Sequence, residues 1–199
     1  MPERLILASN SETRAKMLRN AGVEFQQVAP RVDETAIKDA LVAELAKPRD
    51  IADALAEAKA RKVAAKHPDG LVLGSDQVLD FESALLSKPK SVDEAFRQLC
   101  AMRNKRHSLF SAAVIYESGK PVWRHVGQVR LFMRDASDDW LQSYVDRNWN
   151  SIEHSVGGYK LEEEGVRLFH RIEGDYFNVL GMPLLDVLSY LTLRGTLPS

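Results

Sequence analysis

A chain of 199 residues with 45% apolar content can close one large core, or two lobes around a cleft, without a disulfide or metal to staple it. A formal net charge of −1 excludes an overall basic field that would draw the chain to nucleic acid or an acidic membrane, so an anionic ligand must be caught by local cations. Its single cysteine, Cys100, excludes an intramolecular disulfide, and no apolar stretch forms a leader or approaches the roughly 20 residues of a membrane span, which predicts a cytoplasmic, soluble protein.

Leu5-Ile6-Leu7-Ala8 reads as a buried strand running into the polar turn Ser9-Asn10-Ser11, and Ala15, Met17, Leu18 and Ala21 then predict a helix ending at Gly22. Phe25 to Val32 is extended. Ile51, Leu55 and Val63 share a helix face that stops before His67-Pro68-Asp69-Gly70, and the strand Leu71 to Leu73 follows. Gly74-Ser75-Asp76 closes this apolar run, so Asp76 is expected at the tip of a buried strand, where open α/β sheets hold ligands. Ser91-Val92-Asp93-Glu94 has the capping-box pattern and opens a helix through about Met102 that carries Cys100 as a buried residue. Leu109 to Tyr116 and Val122 to Met133 predict an antiparallel hairpin around Ser118-Gly119. Ser137 caps a helix with Trp140, Leu141 and Tyr144, residues 148–160 read as a loop, and Pro183 begins the last helix through Leu191. This order of elements predicts a single α/β domain over residues 1–199, with a mixed twisted sheet, flanking helices and no linker.

Several charges sit oddly in that pattern. Ser9, Asn10 and Ser11 precede a helix start and Arg14 shares the face of Ser11; together they can hold a phosphate, or form an ordinary cap beside a solvated arginine. Lys59 lies between Leu55 and Val63 on a face the helix should bury, so its ammonium either snorkels to solvent or points into an anion site. Lys88 before Pro89 is held at a fixed turn, either as a ligand cation or as plain surface. Asp33-Glu34 can join Asp76 around a divalent ion, or stay a solvated pair, and the same choice faces Glu162-Glu163-Glu164. His107, His125, His154 and His170 lack metal-ligand spacing, and no Gly-x-Ser-x-Gly elbow occurs.

Taken together, Leu7-Ala8-Ser9-Asn10-Ser11 with Arg14 and Leu18, Val32-Asp33-Glu34, Lys59-Ala60, Gly74-Ser75-Asp76-Gln77, Lys88-Pro89, Gly158-Tyr159, Gly174-Asp175-Tyr176 and Asn178-Val179-Leu180-Gly181-Met182-Pro183-Leu184 resemble, in order and spacing, the Maf family of nucleoside triphosphate pyrophosphatases. The resemblance implies a Maf/ITPase-like fold with two lobes around a central cleft, usually a homodimer, that hydrolyses a nucleoside triphosphate to monophosphate and pyrophosphate with Mg²⁺ or Mn²⁺. It implies Asp76 as proton acceptor, Ser9, Ser11, Arg14, Lys59 and Lys88 as substrate contacts, and Glu34 with Asp76 as metal ligands. Thr13, Gln77 and Glu162 fall at the family's specificity positions. Gln77 and Glu162 are similar to the branch acting on 7-methyl-GTP, whose cationic base a carboxylate favours over a neutral pyrimidine. Thr13, Ala15, Ser111, Gly127 and Ser155 depart from the family pattern. The alternatives are a dTTP/UTP or broad-specificity pyrophosphatase and a non-catalytic nucleotide-binding regulator of cell division.

Overall fold

Apolar residues at every position of Leu5–Ala8 and Leu71–Leu73 require cover on both faces of a sheet. The computed structural model describes residues 5–198 and gives them that cover. In chain order the elements are β1 (Leu5–Ala8), α1 (Glu12–Asn20), β2 (Phe25–Val28), α2 (Glu34–Ala43), α3 (Pro48–Ala64), β3 (Leu71–Phe81), β4 (Ala84–Leu86), α4 (Val92–Met102), β5 (Arg106–Glu117), β6 (Lys120–Met133), α5 (Asp138–Ile152), β7 (Phe169–Glu173), α6 (Tyr176–Val179) and α7 (Leu184–Leu193). Short 3₁₀ turns occupy Val156–Gly158 and Glu164–Leu168. The sheet has seven strands in the order β2-β1-β3-β5-β6-β7, with β4 paired to β3. It is mixed: β1 runs parallel to β2 and β3, while β3–β4 and β6–β7 are antiparallel.

The expected hairpin forms between β5 and β6. Ser118 and Gly119 both take positive φ, 48° and 74°, the two-residue turn whose twist matches paired strands. Four expectations are corrected. β3 does not stop at Asp76 but continues to Phe81, because Val78, Leu79 and Phe81 resume the apolar pattern. The extended segment Phe25 to Val32 is a strand only over Phe25–Val28; beyond it Asp33 accepts from the Ala36 N–H as N-cap and Glu34 opens α2, whose Ile37 and Leu41, one turn apart, are half-buried. Residues 148–152 belong to α5 rather than to a loop. Cys100 lies on α4 as expected, half-buried rather than buried.

The chain divides into two compact units. One comprises the described residues through Gln77, then Phe110–Gly127, then the chain from Asp175; the other comprises Val78–Leu109 and Gln128–Gly174. In the first unit strand alternation sets two layers. Leu5, Leu7, Leu71, Leu73, Ala113 and Ile115 form a core cluster with Ala15, Met17 and Leu18 of α1 and Leu184, Val187 and Leu191 of α7. The alternate residues Val72 and Gly74 face α3, where an added Cβ on Gly74 would stand 2.2 Å from the Ala56 carbonyl oxygen and 2.6 Å from the Ala60 nitrogen. In the second unit α4 packs on α5, and His107, Tyr159 and Phe169 form a buried ring cluster. Among the described residues no helix is long and apolar enough to cross a membrane.

Candidate active site

The same alternation that places Gly74 against α3 points Asp76 at that helix. Since glycine offers no side chain, the backbone of α3 rides directly on β3, and Lys59, next to Ala60, is carried to the strand. Lys59 is 5% exposed, so it neither snorkels nor stands open. Its Nζ lies 2.5 Å from Asp76 Oδ1 and 2.9 Å from Glu34 Oε1. One ammonium thus gathers two carboxylates, one buried on β3 and one half-exposed at the first turn of α2. Asp76 stands in mid-strand here, not at a strand tip as the Gly-Ser-Asp sequence suggests.

Ser75 and Gln77 point the other way. Ser75 donates its hydroxyl to the Gly181 carbonyl at 3.1 Å, and Arg14 Nε donates to the same oxygen at 2.7 Å. Gly181 has φ +107°, a conformation that favours glycine, and its carbonyl is thereby turned toward both donors. Arg14 is buried, and among the described residues no carboxylate is in hydrogen-bond contact with it. Burial pushes its guanidinium below the usual arginine range, against the opposing pull of the Asp76 and Glu34 charges. Ser9 Oγ accepts from the Ser11 N–H at 3.1 Å and, at 3.5 Å, from Arg14, and Ser11 Oγ accepts from the Arg14 N–H as the N-cap of α1. The cap reading of Ser11 is correct and the solvated reading of Arg14 is not. Thr13 is half-buried on the same turn, and Ala15 is fully buried in the core, where a basic side chain would have no outlet.

Gln77 Nε2 donates to Ser111 Oγ at 3.0 Å and to the carbonyls of Asn178 and Val179 at 2.8 and 3.1 Å. Ser111, fully buried on β5, donates in turn to the Asn178 carbonyl at 2.6 Å. Asn178 is held by Asp175, which accepts from both its backbone and side-chain nitrogens at 3.0 Å. A Cβ on Gly127 would fall 2.2 Å from Asn178 Oδ1, so the amide of Asn178 fills the space a side chain at 127 would take. A side chain at 127 would have to displace that amide from its bond to Asp175. Gly181, Ser111 and Asn178 were visible in the sequence only as members of a motif or departures from one, since their roles here run through backbone carbonyls.

Lys88 and Glu162 lie in the second unit. Lys88 is exposed beside the buried Pro89. In the acidic run, Glu164 turns toward Arg147, Asn148 and Arg167, whose hydrogen bonds and charges hold its carboxyl down at about 2. Glu163 accepts from Ser151 at 2.5 Å. Glu162 is exposed and enters no ion pair with a described residue.

Among the described residues no three His, Cys, Asp or Glu side chains converge as a metal cage. Glu34 and Asp76 nevertheless form a suitable donor set for a hard divalent ion, which Mg²⁺ sites commonly build from one or two carboxylates completed by water and substrate phosphate. Each carboxylate has a second oxygen beyond the one paired with Lys59. Around them Arg14, Lys59 and the hydroxyls of Ser9 and Ser11 supply donors to an anion, the complement a polyphosphate needs.

Comparison with known proteins agrees with this chemistry. A family model described as Maf-like protein matches residues 4–193. The chain is 66% identical over 198 residues, all of both chains, to a protein of Roseobacter denitrificans named nucleoside triphosphate pyrophosphatase. Proteins of the same name from Ruegeria pomeroyi and Caulobacter vibrioides are 65% and 51% identical, each alignment covering 97% and 96% of both chains respectively.

Proposed function

Because the chain belongs to the Maf family and is a nucleoside triphosphate pyrophosphatase, we propose that it cleaves the α–β phosphoanhydride at the cluster around Asp76, with 7-methyl-GTP as its preferred substrate. The observation that carries the site is the convergence of two carboxylates and a buried cation at Lys59, with Arg14 a second buried cation in the same unit. Asp76 accepts the proton of the attacking water, and Lys59, within 2.5 Å, fixes the orientation of that carboxylate. Arg14 and the Ser9 and Ser11 hydroxyls bind phosphate oxygens, and their anchoring to Gly181 and the first turn of α1 means little reorganisation as charge gathers on the leaving pyrophosphate. The family resemblance supports Lys88 as a further substrate contact. Mg²⁺ or Mn²⁺, held by Glu34 and Asp76, would supply Lewis-acid polarisation and charge neutralisation of the phosphates.

For the base, Thr13, Gln77 and Glu162 fall at the family's specificity positions, and the carboxylate of Glu162, exposed and in no ion pair with a described residue, supports the cationic 7-methylguanine over dTTP or UTP. The family resemblance supports a cytoplasmic homodimer, which light scattering of the purified protein would check. The decisive assay is pyrophosphate release with Mg²⁺ or Mn²⁺ across 7-methyl-GTP, GTP, dTTP, UTP and ATP, beside Asp76→Asn. The expected result is the highest kcat/KM for 7-methyl-GTP and a loss of at least about 100-fold in the variant. Full turnover by Asp76→Asn would remove it as base, and a pyrimidine preference would overturn the substrate assignment.

A further inference from the structure

We propose that Ser111 is a positioning residue for base recognition: with the Asn178 carbonyl it locks the Gln77 carboxamide so that a ligand meets only its oxygen, and the enzyme therefore selects bases that present an N–H there. The inference deepens the reading above and rests on Gln77 touching the base.

The orientation of the Gln77 amide is forced by its neighbours. Two of the atoms around Nε2 are the backbone carbonyls of Asn178 and Val179, which only accept. The third is Ser111 Oγ, whose own proton goes to the Asn178 carbonyl at 2.6 Å, leaving a lone pair toward Gln77. Turning the carboxamide over would set Oε1 against two carbonyls that only accept, and it could regain a partner only by drawing the Ser111 proton away from Asn178. Both amide hydrogens are thus spent inside the protein. Gln77 Oε1 accepts no hydrogen bond from the described residues and the side chain is only half-buried, so this oxygen is the polar atom left for a ligand.

An acceptor fixed in this way is a filter by unpaired polarity. Guanine and its 7-methyl cation carry N1–H and N2–H₂ on one edge, and uracil and thymine carry N3–H; each can donate to Oε1. A base without such a donor leaves the oxygen desolvated and unmatched, the arrangement by which sites built around a hydrogen bond discriminate most strongly. Ser111 contributes by holding the amide rather than by contact. It is fully buried on β5 and its hydroxyl joins Gln77 to the segment around Asn178.

The test compares GTP with purine riboside triphosphate, which has the same ring and no N–H on that edge. Values of kcat and KM are measured for wild type, Ser111→Ala, Ser111→Thr and Gln77→Met, with inhibition constants replacing KM wherever turnover is too slow. Wild type is expected to favour GTP by about tenfold or more. Ser111→Ala should reduce that ratio at least about threefold through a higher KM for GTP, and Ser111→Thr, which keeps the hydroxyl, should restore it. Gln77→Met should bring the ratio close to one. A parallel loss for both nucleotides in Ser111→Ala, or an unchanged ratio, would overturn the positioning role. Discrimination that survives Gln77→Met would instead remove Gln77 from the base, and the proposal with it.

Discussion

Lys59 shows how a single residue can be anomalous in sequence and explained by structure. Its place between Leu55 and Val63 marks it as a cation on a buried face, and the chain resolves the conflict by giving it Asp76 and Glu34 as partners. Removing one partner of a buried charge group leaves the rest uncompensated and costs more than the pairing contributes. Lys59→Met keeps the volume and deletes the ammonium, leaving Asp76 buried opposite Glu34. We expect a loss of about 3 kcal/mol in urea unfolding. Because two hard carboxylates are then free to meet at one point, millimolar Mg²⁺ should recover much of that loss in the variant and change wild type little, by binding the folded state alone. Equal responses to Mg²⁺ in the two proteins would argue against Glu34 and Asp76 as a shared ion site. Arg14 was less legible: its spacing from Ser11 shows only a shared face, whereas its burial depends on the Gly181 carbonyl 167 residues away.

At the level of elements, the site depends on how closely α3 approaches β3. Gly74 permits that approach, since the atoms an extra Cβ would strike, the Ala56 carbonyl oxygen at 2.2 Å and the Ala60 nitrogen at 2.6 Å, are backbone and cannot swing away. Gly74→Ala must therefore push the helix outward and draw Lys59 back from Asp76. The expected cost is roughly 2 kcal/mol in unfolding, typical of overpacking, together with a fall in kcat/KM for the triphosphate. A fully stable and active variant would show that α3 can shift without disturbing the pair. What the sequence made readable at this scale follows burial. β1, α1, α3 and the hairpin carry strong apolar periodicity or turn residues and form where the sequence predicts them. α2 carries only a short stripe, Ile37 and Leu41 one turn apart and half-buried, and its acidic start at Asp33-Glu34 reads equally well as a solvated pair. β3 runs past the end its sequence predicts because Gly-Ser-Asp has the composition of a turn and only its neighbours across the sheet hold it extended.

Over the whole molecule, the sequence does not separate the two units because three of their four boundaries fall inside strands and the fourth, between Gly174 and Asp175, is a short turn between β7 and α6. The chain passes from one to the other within β3, β5 and β6, so no polar linker or compositional change marks the transition. Yet each unit has its own polar commitments, and that of the second sets an acid limit on the molecule. His107 is 2% exposed, with Nε2 2.7 Å from the Tyr159 hydroxyl and Nδ1 enclosed without a partner. Burial holds the imidazole at about 4, against an ordinary 6.5. Between those values the unfolded chain binds the proton and the folded chain does not, so stability is complete above about pH 6.5 and drains away as the pH falls toward 4. At about 1.4 kcal/mol per unit, the loss is roughly 3 kcal/mol across the window. Carboxylates begin to titrate at its lower end, so the comparison needs a variant that lacks only the imidazole. His107→Gln keeps a hydrogen-bonding group near Tyr159 and should unfold with a visibly flatter dependence between pH 6.5 and 4.5, even if less stable at pH 7. Parallel curves for the two proteins would mean that the acid sensitivity arises elsewhere. A flatter curve would locate it at the ring cluster of His107, Tyr159 and Phe169, where the buried imidazole must take up a proton that its surroundings do not solvate.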